Sequence, residues 1–479
     1  FTSTYAFMCL SSTSKKTAEQ SLPNKKFDVD NNETKADEKL HRGILIGSLS
    51  LVCLIAGSSI TMPFQQSRRD ALECDTLCWG SMMSTRSTLQ LIGSAIIGRM
   101  SDSVTFGRKW CLYLGVIACF TGFIISVAFD SLEGMWFSML PGALMQHNFS
   151  VIQALFTDYH DSAASPLHQS ASSRAGSAGK LGMCLGLSIM VGPLIGGTIV
   201  KSFRQALGFA MFCTFLSGML VHQLPPPTTL AYKAKKLKTD EKIKRATIVQ
   251  SMKQFFNVPA ARSPACLLLI TIRFSMALAF FIYNTIWTVS LKTRFNFGPS
   301  DHGKFMSFIG LSYALSQGFV AKRLIQIVGQ RRRKYIAMVC CITLGAGRWF
   351  AFHTESLICV YCMFFMLVIA LGVMNTILTA DAGNLAPSSE IGGVFGVLAA
   401  VQSGAGMVGP IAGGILANYS KKYDENDSVT APLFTVVGIY VFVFFLVSFG
   451  YDTLTQNTFE DQSQQVKETL LESEKKKNL

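Results

Sequence analysis

The chain has 479 residues, 49% hydrophobic and only 15% charged, with a mean hydropathy of +0.35 and a formal net charge of +14. The charges gather between apolar runs of about 18 residues or more, which excludes an ordinary soluble globular protein and describes an all-α, polytopic membrane protein. The basic excess lies between those runs, so it reads as membrane topology, and no nucleic-acid partner is expected.

The chain begins at Phe1 rather than Met, as an incomplete amino terminus would. Residues 1–42 are rich in Lys, Ser, Thr, Asn and Asp, lack the apolar core of a signal peptide, and are expected to form a disordered tail. Twelve membrane-spanning helices are expected at about 43–64, 79–99, 109–129, 135–157, 175–200, 205–223, 264–291, 303–321, 335–353, 356–380, 391–417 and 431–450. They group into a first six-helix bundle over 43–224 and a second over 264–450, joined by a basic linker over 225–263 and followed by a polar tail over 451–479. With the amino terminus cytosolic, the loops and tails on that side hold 30 Lys and Arg against 9 on the other, so both termini and the linker are expected to be cytosolic. Cys74 and Cys78 stand before the second span; they either pair outside the membrane or, as the expectation adopted here, remain two free thiols.

The clearest pattern is a duplication at an offset of 217 residues. Gly179 to Gly197 reads GKLGMCLGLSIMVGPLIGG, and Gly396 to Gly414 reads GVLAAVQSGAGMVGPIAGG. Gly179, Ser188, Gly192, Pro193, Gly196 and Gly197 thus match Gly396, Ala405, Gly409, Pro410, Gly413 and Gly414. Glycines along a membrane helix remove side chains where a neighbouring backbone comes close, and a proline removes a backbone donor. A weaker duplication relates the loops after spans 2 and 8. GRMSDSVTFGRK contains Gly98, Asp102, Gly107, Arg108 and Lys109, while GFVAKRLIQIVGQRRRK keeps the glycines and cations without the acid and reads as an ordinary basic loop.

Ionisable groups inside the spans are few. Arg86, Arg273 and Arg348 each fall well within a span, where a charge costs about 2.5 to 3.5 kcal/mol on insertion scales, so lipid-facing positions are not expected. Arg86 and Arg273 either line a central cavity or bond to carbonyls of a neighbouring helix; Arg348, on span 9, reads as structural. Asp158 and Asp381 stand at the cytosolic ends of spans 4 and 10 and are expected as helix-end partners of the loop cations. His147 in span 4 is the candidate for proton coupling, because imidazole titrates in the working range; a histidine simply hydrogen-bonded in place is the alternative. Asn148, Asn284, Gln90, Gln153, Asn375 and Gln402 are suited either to binding a solute or to joining helices. Phe280, Tyr283 and Trp287 recur at helical spacing, suited to stacking on a planar solute or to packing between helices.

At the loop signature and the glycine helix the chain resembles the major facilitator superfamily and its drug:proton antiporters. Within it, LPGALM (Leu140 to Met145), the Gly179 to Gly197 stretch and FMSFIGLSYALSQGFV (Phe305 to Val320) are similar to the organic cation transporter-like protein of solute carrier family 22, a relative of the tetracycline exporters. The resemblance implies two pseudo-symmetric six-helix bundles rocking about a central cavity, a cytosolic latch at the loop signature, and proton-driven efflux of organic solutes. The chain departs from the pattern in two places: two extra residues separate Asp102 from Gly107 with Ser103 where a basic residue is usual, and Ser138 and Met139 stand where span 4 usually carries an arginine.

No Walker loop, dinucleotide fingerprint, metal-spaced His and Cys cluster or nucleophile motif occurs, so no enzyme activity, cofactor or metal is expected. The expected partners are the lipid bilayer, a small organic solute and protons. The three buried arginines and the lack of a mid-span carboxylate favour an anionic or zwitterionic solute while the family resemblance points to organic cations, which leaves the solute's charge open. A transporter-like receptor or scaffold that has lost transport is the alternative; a polar centre lined by both halves distinguishes the transporter from it.

Overall fold

The computed structural model describes residues 25–103, 106–161, 171–226, 259–328, 332–385, 391–423 and 429–451. Among the described residues, fifteen α-helices make the twelve crossings. They are α1 (Lys25–Ile60), continued past Thr61 by the short α2 (Met62–Ala71); α3 (Thr76–Asp102); α4 (Gly107–Ala128); α5 (Leu132–Met145) followed by α6 (Asn148–Asp161); α7 (Ala171–Thr198); and α8 (Phe203–His222). The second half comprises α9 (Pro264–Phe295), α10 (Pro299–Leu315) followed by α11 (Ala321–Val328), α12 (Arg333–His353), α13 (Leu357–Leu385), α14 (Ile391–Tyr423) and α15 (Thr430–Tyr451). Local chemistry sets several starts: Asp75, Ser131, Ser202 and Ser263 cap α3, α5, α8 and α9 by accepting from the backbone N–H three residues on.

Among the described residues, nine segments are apolar and long enough to cross a membrane. The other three crossings depart for visible reasons. α3 carries Ser84, Thr85, Arg86, Ser87, Thr88 and Gln90 in succession about its middle. Span 4 breaks at Gln146 and His147, one turn after Pro141 and Gly142. Span 8 passes through a π-helical turn, Ser316–Val320, whose Ser316 and Gln317 side chains donate to the backbone oxygens of Ile369 (3.3 Å) and Gly372 (3.2 Å) on α13.

Three sequence expectations change. Residues 25–42, expected as disordered tail, are helical: the run holds four Lys and two Glu, which favour helix, and Leu40 is buried in the core of the first bundle. Cys74 and Cys78, expected as free thiols, form a disulfide with Cα atoms 5.4 Å apart. The first turn of α3 swings Cys78 back over Cys74, held by the bond from the Cys78 N–H to Asp75 at 2.7 Å. The helix α2 was not expected; Pro63 in its first turn begins it after Thr61. Residues 1–24, most of the linker (227–258) and the tail 452–479 lie outside the described residues.

The duplicated glycine helices, α7 and α14, explain why the pattern is repeated. Each glycine helix touches its own bundle with one face and the other bundle with the next. Gly192 and Gly196 meet the backbone of α1 at Ala56 and Ile60, and the matching Gly409 and Gly413 meet α9 at Phe281 and Thr285. Gly197 meets Gly303 of α10 across the seam, and its match Gly414 meets Thr76 and Leu77 of α3. A Cβ at Gly197 would stand 2.9 Å from the Gly303 Cα, and one at Gly414 would stand 3.1 Å from the Leu77 Cα. Helices in lipid associate by such close backbone packing, because there is no water to expel. Both seams continue inward, through Gly186 and Gly310 between α7 and α10, and through Gly80, Pro410 and Gly406 between α3 and α14. Gly179 and Gly396 lie toward the start of the same two helices.

Candidate functional site

The sites expected from sequence fall into three places: the ends of the helices, the packed interior of each bundle, and the accessible middle of the spans. At the face where α1 starts and α15 ends, here the terminal face, Arg108 donates through Nε to Asp158 (2.7 Å) and through Nη1 to Ser101 (3.1 Å). Gly107 holds a φ of 71°, the left-handed conformation that lets the chain turn into α4 just before this arginine. Lys109 reaches the His222 carbonyl at the end of α8, at 2.5 Å. Gly98 has open space beside it, and the side chain of Asp102 lies outside the described residues. The second copy, read from sequence as an ordinary basic loop, repeats the pairing: Arg333 donates to Asp381, which also accepts from the Tyr451 hydroxyl. In both copies the acid comes from another helix, Asp158 on α6 and Asp381 on α13. Both pairs lie within one bundle. On the opposite face, Lys292 at the end of α9 pairs with Asp70 of α2, joining the two bundles.

Two candidates are absorbed by packing. Asn148 is buried at 3% exposure and donates to the Leu112 carbonyl of α4 at 3.1 Å, so its amide joins helices. Trp287 is 2% exposed and stacks on Tyr283 with centroids 5.6 Å apart, against Phe364 (4.4 Å) and Phe352 (5.2 Å). It belongs to the aromatic core of the second bundle and presents no face to a solute. Arg348 is settled in the same core, donating to the Leu344 carbonyl at 3.0 Å with its guanidinium over the rings of Tyr440 (4.8 Å) and Tyr283 (5.0 Å).

The remaining candidates are accessible at mid-span. Arg273 on α9 donates from its two Nη groups to Asn375 Oδ1 on α13 and to Gln402 Oε1 on α14, the latter at 2.7 Å. Arg273, Phe280 and Asn284 recur at i, i+7 and i+11 along one face of α9; Phe280 and Asn284 are exposed, whereas Tyr283 and Trp287 are buried. In the first bundle Arg86 is exposed and makes no hydrogen bond or ion pair with any described residue. It shares a face of α3 with Gly93, seven residues on, and Gly93 packs against the break in span 4. There His147 has a buried Nε2 without a partner, 2.7 Å from where a Cβ on Gly93 would stand. On α6 beyond the break, Phe149, Ser150 and Gln153 are exposed. The break itself, and the role of Asn375 and Gln402 as a clamp, were not legible in sequence; the Pro141-Gly142 pair was the available signal for the first.

Two alike helical bundles, closed on each other through glycine seams and keeping polar side chains accessible at mid-depth, define a polytopic membrane transporter. The chain belongs to the Major Facilitator Superfamily, whose description matches residues 47–410, and it is a transporter rather than an enzyme. It is 25% identical to human solute carrier family 67 member A1 over 393 residues (78% of this chain, 84% of the relative) and 24% identical to mouse solute carrier family 22 member 18 over 384 residues (78% and 87%). The tetracycline resistance protein, class B, of Escherichia coli is 21% identical over 345 residues (71% and 79%). The fold matches the crystal structure of the human organic anion transporter MFSD10 (TETRAN) with a TM-score of 0.62 at 18% identity, covering 85% of this chain and 99% of that one.

Proposed function

We propose that the protein is a proton-coupled antiporter that exports small organic solutes by alternating access, with its termini in the cytosol. The observation that carries the reading is that each half keeps polar side chains at mid-span: Arg86 and His147 in the first bundle, Arg273 with Asn375, Gln402 and Asn284 in the second. A scaffold that had lost transport would gain by filling this centre with apolar side chains, since unpartnered polar groups in a membrane are costly. Export and proton exchange draw support from the resistance proteins among the relatives, and His147 is the group suited to carry the proton. The orientation draws support from the Cys74–Cys78 disulfide on the face opposite the termini, since disulfides persist outside the reducing cytosol.

In mechanism, Lys292 and Asp70 brace the opposite face while the Arg108–Asp158 and Arg333–Asp381 pairs stay within their bundles, so the solute path opens toward the terminal face. Rocking about the glycine seams exchanges the open face. Proteoliposomes with an imposed pH gradient test this: wild type drives solute against its gradient, and His147→Ala uncouples it, leaving only downhill exchange. Equal gradient-driven flux in His147→Ala refutes the role of that histidine, and no flux of any solute by well-folded protein refutes transport.

A further inference from the structure

We propose that the solute is a flat organic anion, bound by Arg273 and Arg86 across the centre, an inference that rests on the transport reading above. The argument begins with what each arginine lacks. No Asp or Glu occurs in the middle of any span, and the acids nearest the spans, Asp158 and Asp381, are already engaged by Arg108 and Arg333. Arg273 is held by two neutral amide oxygens, which orient its planar group while leaving its charge uncancelled. The ionisable group that acts on it electrostatically is the Tyr313 phenol, and on Arg86 the Cys119 thiol; neither is a carboxylate.

Arg348 shows how this protein settles an arginine that has only a packing role: it is buried at 3% exposure, bonded to a carbonyl of its own helix and covered by two aromatic faces. Arg86 is the opposite, exposed and without a hydrogen bond or ion pair to any described residue. Two uncancelled guanidiniums between low-dielectric walls favour an anion, and the guanidinium fork matches a carboxylate or sulfonate. A flat solute follows from Phe280, whose exposed ring lies on the Arg273 face of α9, with Asn284 one turn further as a neutral hydrogen-bonding group. The arginines come from different bundles, so an anion between them would bridge the two halves and follow their rocking.

The test uses the purified full chain, with benzoate, 2-naphthalenesulfonate and fluorescein as anions, ethidium and tetraethylammonium as cations, and inorganic phosphate and chloride as small ions. Each is measured for protection against thermal unfolding in detergent and for flux in proteoliposomes. The organic anions are expected to protect and to be carried, with apparent affinity falling about tenfold or more in Arg273→Gln and Arg86→Gln, the loss of a charge-assisted hydrogen bond, and partly kept in Arg273→Lys. Arg86→Gln guards against misfolding as the cause, because Arg86 makes no hydrogen bond or ion pair with any described residue. Anions that protect wild type but not the variants, without flux, uphold the site while refuting transport. Flux of the cations alone, protection by phosphate and chloride alone, or no effect of any anion overturns the inference, and cation flux does so while leaving transport standing.

Discussion

The two bundles are built to one plan but treat their polar groups differently. In the second, Arg273 is clamped by Asn375 and Gln402, Arg348 is sealed between Tyr283 and Tyr440, and span 8 is tied to α13 through its π turn. In the first, Arg86 and the His147 Nε2 make no hydrogen bond with any described residue, and span 4 is broken beside them. The clamped half offers a preorganised surface, whereas the loose half holds groups whose partners must come from solute, water or proton. A transporter that binds, carries and releases needs both, since a fully satisfied site would hold no solute and a wholly loose one would not select.

The largest expected effect lies in the aromatic core of the second bundle. Trp287→Ala should cost about 3 to 5 kcal/mol, read from denaturant or thermal unfolding, with flux per folded molecule unchanged. Phe280→Ala, on the accessible face of the same helix, should leave stability almost intact and weaken solute binding. The reverse pattern would put Trp287 back among the solute-contacting residues. Next come the two ion pairs at the terminal face. Asp381→Asn should cost about 3 kcal/mol or more, because the acid is 1% exposed and serves both Arg333 and Tyr451. Asp158→Asn should cost less, about 1 to 3 kcal/mol, because its side chain is 14% exposed and Arg108 also bonds Ser101. Equal costs would mean that the two ion pairs are equally rigid. The smallest effect is expected at the pair that joins the bundles: with Lys292 and Asp70 at 46% and 35% exposure, Asp70→Asn should shift stability by under about 1 kcal/mol, and 1 M salt should erase the difference from wild type.

Much of this was legible in the chain itself. Twelve apolar runs imply twelve crossings because a bilayer requires each span to satisfy its own backbone. The 217-residue repeat implies two alike bundles because glycine spacing records where backbones meet. Asp158 and Asp381 could be read as helix-end partners of the loop cations from their positions alone, although which cation each takes could not, since each acid lies about fifty residues from its arginine. Trp287 and Phe280 are both aromatic residues of one span, and seven residues of helix turn them to nearly the same side. Only packing against Phe352 and Phe364 shows which is sealed.

By itself, then, the sequence determined what a local rule can carry: crossings, caps, the duplication, and the scarcity of mid-span acids. Tertiary structure decided what depends on a neighbour from elsewhere in the chain: that Asn148 ties α6 to α4, that Arg348 is covered and Arg86 is not, that Cys74 and Cys78 join, and that Arg273 is held by two amides. The reason is physical. Burial and hydrogen bonding in the membrane are properties of pairs of helices, and a helix's own periodicity says which residues share a face without saying what that face meets.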